Sequence, residues 1–134
     1  MKKILILASF VAVVAGCNKA DHVLVVDRRS WTLEASFEAG RAPYNLGVTP
    51  DGELLIATLK GGGQVQFFDA RSGESLAVAP SSTTVTHGVA VTPDGRYAFV
   101  SAEGVGAEPG TVDVFDLESF ERVGSVEVGQ QAGG

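Results

Sequence analysis

Residues 87–126 read HGVAVTPDGRYAFVSAEGVGAEPGTVDVFDLESFERVGSV, four short strand signals separated by three turn signals. Val89 and Val91 alternate ahead of Thr92-Pro93-Asp94-Gly95, where proline presets φ for a turn and glycine supplies a position of positive φ. Tyr97 to Val100 is an apolar run that ends in a glycine-rich loop from Gly104 to Gly110. Val112 and Val114 then alternate with polar neighbours up to Phe115-Asp116, and Glu121 to Val126, entered through Glu118-Ser119, makes the fourth strand. Connections this short demand antiparallel neighbours, so the stretch predicts one twisted four-stranded sheet.

The same unit is written again upstream. Thr49-Pro50-Asp51-Gly52 repeats Thr92-Pro93-Asp94-Gly95, while Val65, Phe68-Asp69, Ser72 and Glu74 repeat Val112, Phe115-Asp116, Ser119 and Glu121. A partial copy precedes both, in Val23, Val25, Val26-Asp27 and Ser30. A period in the forties with four strand signals per repeat predicts an all-β fold of β-propeller blades. The expected parts are a half blade over 22–38, a blade over 44–79, a blade over 87–128, and the start of another over 129–134. Within the half blade, His22 to Asp27 is one strand, and Trp31, Leu33, Ala35 and Phe37 alternate along the next.

Composition agrees. The 134 residues are 45% apolar, with 17 glycines and a net charge of −6. This suits a turn-rich β protein and not a disordered chain. Loss of the first sixteen residues removes only Lys2 and Lys3, taking the charge to about −8, a balance that favours solubility and opposes nucleic acid or the docking of a folded face on anionic lipid.

The N-terminus has a different character. Met1-Lys2-Lys3 is basic, and Ile4 to Val14 is an apolar run too short to span a bilayer but suited to a signal-peptide core. It closes on Val14-Ala15-Gly16-Cys17, which resembles a bacterial lipobox. The expectation is a signal peptide over 1–16, lipidation of Cys17, a short tether over 17–21, and the ordered domain from 22 to 134. Cys17 is the single cysteine, which excludes a disulfide framework. Several acyl chains on one residue give stable anchoring where one would not. By the resemblance, Asn18 beside the lipidated cysteine implies the outer membrane if the cell has one.

Across residues 22–134 the repeats resemble the YVTN family of seven-bladed propellers, with its V-x-x-S/T-P-D-G turn and V-x-V-I/F-D third strand. Phe99-Val100-Ser101-Ala102 and Ile56-Ala57-Thr58-Leu59 match the naming tetrapeptide only approximately. The resemblance implies about two and a half blades of a seven-bladed ring. Such a stack leaves an apolar face open at each end. The chain is therefore expected to be a piece of a longer protein; self-association of copies to complete the ring, or a degenerate relic, are the alternatives.

Chemistry-bearing residues are sparse. His87 opens a first strand where such strands approach the central channel, and Tyr44 is its counterpart in the preceding repeat. These two are the candidate channel-lining ligand contacts. His22 lies in another repeat and cannot be paired with His87 by spacing, so no metal site is expected. Asp27, Asp69 and Asp116 recur at the end of each third strand and suit Asx turns, as Asp51 and Asp94 suit their own turns. Lys60 to Gly63 and Gly104 to Gly110 are hairpin loops without the lysine of a phosphate loop. Trp31 and Phe120 align at the turn into the fourth strand and read as packing at the blade edge. No catalytic residue and no cofactor is expected. The reading is a lipid-anchored extracytoplasmic scaffold that binds a protein or an envelope glycan; the alternative is a portion of a propeller enzyme, a sugar-lactonase-like hydrolase or a haem- or quinone-linked oxidoreductase subunit.

Overall fold

The computed structural model describes residues 4–7 and 21–132, and strands supply all their regular secondary structure. In chain order these are β1 (Ile4–Leu7), β2 (His22–Asp27), β3 (Thr32–Glu38), β4 (Pro43–Val48), β5 (Leu54–Leu59), β6 (Gln64–Asp69), β7 (Ser75–Pro80), β8 (Val85–Val91), β9 (Tyr97–Glu103), β10 (Gly110–Asp116) and β11 (Arg122–Val128). They form three antiparallel sheets, β1-β2-β3, β4-β5-β6-β7 and β8-β9-β10-β11, each a meander. The protein is all-β and of β-propeller type: two full blades follow a half blade. The four strands of the middle blade span 43–80 and those of the last blade 85–128.

Ile4–Leu7, read from sequence as signal-peptide core, pairs with β2, Ile4 opposite Asp27 and Leu7 opposite Leu24. It fills the second-strand slot that the half blade lacks. Cys17 and Asn18 lie outside the described residues, as do Gly133 and Gly134. The described part of the expected next blade, 129–132, forms no strand. Instead Gly104 N donates to Gln130 O (3.0 Å), and the Gln130 amide donates to Gly106 O, so this segment folds back over the β9–β10 loop.

The middle blade explains the apolar run Leu54-Leu55-Ile56-Ala57-Thr58-Leu59. A strand with one wet face alternates, but β5 has no wet face. Leu55 and Ala57 join Phe68 and Ala70 against Val23, Val25 and Phe37 of the half blade. Ile56 joins Val65, Phe67 and Ala79 against Ala98, Val100, Phe115 and Leu117 of the last blade. The core is therefore two seams between blades. At about 25 cal/mol per Å² of apolar area, each fully buried Phe or Leu in a seam stabilises by roughly 1.5–3 kcal/mol.

The repeats are equivalent down to their irregularities. Third and fourth strands shift register between Val25 and Val26, Phe67 and Phe68, and Val114 and Phe115. Each shift precedes a turn capped by the recurring aspartate. Asp27 Oδ1 accepts from Arg29 N (2.8 Å) and Ser30 N (2.9 Å), Asp69 Oδ1 from Arg71 N (2.9 Å) and Ser72 N (2.7 Å), and Asp116 Oδ1 from Glu118 N (2.9 Å) and Ser119 N (3.0 Å). These bonds, led by the Ser72 and Ser119 amides, hold Asp69 and Asp116 below the ordinary carboxylate pKa. Each turn ends with a residue of left-handed φ: Trp31 (58°), Gly73 (75°) and Phe120 (60°).

Trp31 therefore belongs to the turn and not to the alternation of β3. It is 70% exposed, whereas Phe120 packs on Phe67 of the preceding blade with ring centroids 5.1 Å apart. The edge-packing role holds for Phe120 and fails for Trp31, because no described blade precedes the half blade.

Candidate functional site

Among the described residues the two inter-blade connections, 39–42 and 81–84, lie at one end of the blades together with the β5–β6 and β9–β10 loops, the connecting rim. The aspartate-capped turns and the Pro-Asp-Gly turns occupy the other end, the turn rim.

A repeated bulge places the candidate residues. Between β4 and β5 the register jumps from Pro43–Leu59 to Asn45–Thr58, leaving Tyr44 as the extra residue. Between β8 and β9 it jumps from Thr86–Ala102 to Val89–Val100, leaving His87 and Gly88 against Ser101. A bulge frees an amide and re-aims a side chain. Here the freed amide is met by a hydroxyl: Asn45 N donates to Thr58 Oγ1 (3.0 Å), and Gly88 N to Ser101 Oγ (2.9 Å). Thr58 Oγ1 in turn donates to His87 O (2.6 Å), which ties one bulge to the next across the seam.

The bulges bring Tyr44 and His87 together, with ring centroids 4.8 Å apart and planes at 57°. Lys60 Nζ stands 4.6 Å over the Tyr44 ring, within cation–π range. On the far side, His87 Nε2 lies 3.0 Å from Glu103 Oε1. Nε2 is buried and makes no directed hydrogen bond, so the two groups adjoin by proximity alone. Lys60, Tyr44, His87 and Glu103 form a row across two blades in which cationic, aromatic and anionic groups adjoin. Such a row can hold a polar or planar ligand group by stacking and charge. His22 is not part of it; its Nδ1 meets Ser36 Oγ (3.1 Å) in the half blade. No cluster of three potential metal ligands occurs among the described residues.

A second polar constellation was not recognised from the sequence. Asp113, on β10, is fully buried. Its Oδ2 accepts from Ser81 Oγ (2.7 Å) and Ser82 N (2.7 Å), and its Oδ1 accepts from Ser82 Oγ (2.6 Å) and Ser125 Oγ (2.7 Å). Arg122 Nη1 stands 3.7 Å from Oδ1. Burial alone pushes the Asp113 pKa up, but the bonds from Ser82, Ser125 and Ser81 outweigh it and hold the carboxyl below its ordinary value. The repeat-equivalent Gln66 does the same work one seam earlier: its Oε1 accepts from Gly40 N (2.8 Å), in the preceding connection, and its Nε2 donates to Ser75 Oγ (2.9 Å). Recurrence makes Asp113 a latch between blades. The sequence signal is an acidic residue in phase with Thr111 and Phe115, on the face opposite to the alternating Val112 and Val114. Beside the latch a cleft of about 720 Å³ opens on the connecting rim, lined by Ser82, Thr84, Thr111, Ser125, Glu108 and Glu127, among others.

Comparison with known proteins bears on both ends of the chain. Residues 1–18 match the model of the prokaryotic membrane lipoprotein lipid attachment site. No curated protein matches the sequence. Among solved structures the chain is similar to Kuenenia stuttgartiensis hydrazine synthase, 23% identical over 84% of this chain and 31% of that one, with a TM-score of 0.78. The chain thus spans about a third of the length of that structure. In all, 531 solved chains match, so the architecture by itself selects no activity.

Proposed function

We propose that this chain is a lipid-anchored extracytoplasmic propeller scaffold with repeats of the YVTN type. It binds a protein or an envelope glycan through side chains that its first-strand bulges project at the connecting rim, and it has no catalysis of its own. The observation that carries this is the bulge-built row of Lys60, Tyr44, His87 and Glu103. The same backbone device recurs with a different side chain in each blade, as expected where a common scaffold displays a variable binding surface. The lipid attachment site supports placement at the cell envelope, and Asn18 supports the outer membrane where one exists.

The test uses the lipidated protein and its Tyr44→Ala/His87→Ala double variant, titrated with purified peptidoglycan fragments and with cross-linked envelope proteins. Stoichiometric binding that the double variant loses, at an unchanged unfolding midpoint, supports the reading. A haem or quinone copurifying with the protein, or lactone turnover, overturns it in favour of the second reading, a portion of a propeller enzyme. That second reading draws on the solved relative being a synthase.

A further inference from the structure

The lipid attachment site and the fold together decide which way the propeller faces. Asp21 is fastened into the connecting rim from both its main chain and its side chain. Its carbonyl accepts from Ala39 N (2.9 Å), and its Oδ1 accepts from Ala42 N (2.8 Å). The tether between an acylated Cys17 and the fold is therefore residues 17–20 alone, which extend to about 14 Å at most. The strands are six or seven residues long in the blades, so the turn rim stands about 20 Å beyond the connecting rim. A tether shorter than the blade cannot carry the anchor to the other end.

We infer that the connecting rim faces the bilayer and the turn rim faces away from it. This rests on acylation of Cys17. Charge does not drive the arrangement: at this rim Glu38, Glu103, Glu108 and Glu127 outnumber Arg41 and Lys60, so anionic headgroups repel it and the tether alone holds it. The Tyr44–His87 row and the cleft beside Asp113 then open into a gap of about 14 Å. A small folded domain is about 30 Å across and does not fit there face-on.

The experiment exploits Cys17 being the only cysteine, consumed by its acyl chains. Full-length lipoprotein carrying Glu108→Cys (connecting rim) or Glu118→Cys (turn rim) is labelled with one fluorophore and reconstituted in phosphatidylethanolamine–phosphatidylglycerol vesicles containing a spin-labelled headgroup lipid. Both positions are exposed. The expected result is quenching several-fold stronger at position 108 than at 118, abolished at both when Cys17→Ala leaves the protein without an anchor. Equal quenching, or stronger quenching at 118, overturns the orientation while leaving the scaffold reading intact. Intact mass is measured first: a protein without acyl chains overturns the anchor on which the orientation rests, and does so independently of the quenching.

Discussion

The seam between the half blade and the middle blade and the seam between the middle and last blades are built from equivalent positions filled by different residues. At the first seam the latch is a neutral amide, Gln66, with one bond to the preceding connection. At the second it is the buried carboxylate of Asp113, with three bonds to Ser81 and Ser82. Aromatic packing is exchanged as well. Phe120 reaches back onto Phe67 at the second seam, whereas at the first the equivalent residue is Gly73 and the aromatic is Phe37, from the other side. A Cβ on Gly73 would lie 2.1 Å from the Phe37 ring. The same backbone thus accepts a knob from either blade, provided that the facing position is empty. Polar anchoring is concentrated at the second seam, beside the cleft.

The largest break in this comparison is Phe67→Ala. Phe67 contacts Phe115 and Phe120, at 5.9 and 5.1 Å between centroids. Truncation should cost about 3–5 kcal/mol in urea unfolding and undock the last blade. Hydrogen exchange should show β8 to β11 losing protection while β2 and β3 keep theirs. If the half blade opens equally, the seams are not separable units.

Exchanging the latches comes next. Asp113→Asn should cost about 1.5–3 kcal/mol, because the hydroxyl and amide donors now meet a neutral acceptor that also brings its own N–H groups, whereas Gln66→Ala should cost about 1 kcal/mol. The two should also differ in pH response. The folded pKa of Asp113 is depressed, so its contribution is fully present above the unfolded value of about 3.9 and is lost as pH falls from there through the folded value. Unfolding midpoints between pH 5 and pH 2 should fall less steeply in Asp113→Asn than in wild type, and unchanged in slope in Gln66→Ala.

Gly73→Ala should cost about 1–2 kcal/mol for the left-handed φ alone, and more while Phe37 is in place. In a Phe37→Ala background only the conformational part should remain, and a thermodynamic cycle reads the difference. The smallest effect belongs to Trp31→Ala. Its equivalent, Phe120, is a seam residue, but Trp31 faces solvent and should change stability by less than about 0.5 kcal/mol.

Nearly every strand and turn was legible in the sequence because these are local events. Thr92-Pro93-Asp94-Gly95 makes its turn through contacts within five residues, Thr92 Oγ1 to Asp94 Oδ1 (2.5 Å) and Tyr97 N to Thr92 Oγ1 (3.0 Å). The aspartate-capped turns are equally short-range, and the repeat made each a check on the others. Tyr44 and His87 could be named as counterparts for the same reason. What alignment lacked was direction. Trp31 and Phe120 occupy the same position, and only the presence or absence of a preceding blade separates a packed ring from an exposed one.

The sequence by itself determined the four-stranded repeat, its turns and the lipid attachment site, since each is written in residues close together along the chain. Tertiary structure alone decided the rest. The row from Lys60 through Tyr44 and His87 to Glu103 exists because two bulges in successive repeats turn their side chains to a shared rim. The Asp113 latch exists because a strand of one blade meets the connection leading into that blade from the one before. Both are contacts across a whole repeat, and no local preference of the chain encodes which side chains will meet there.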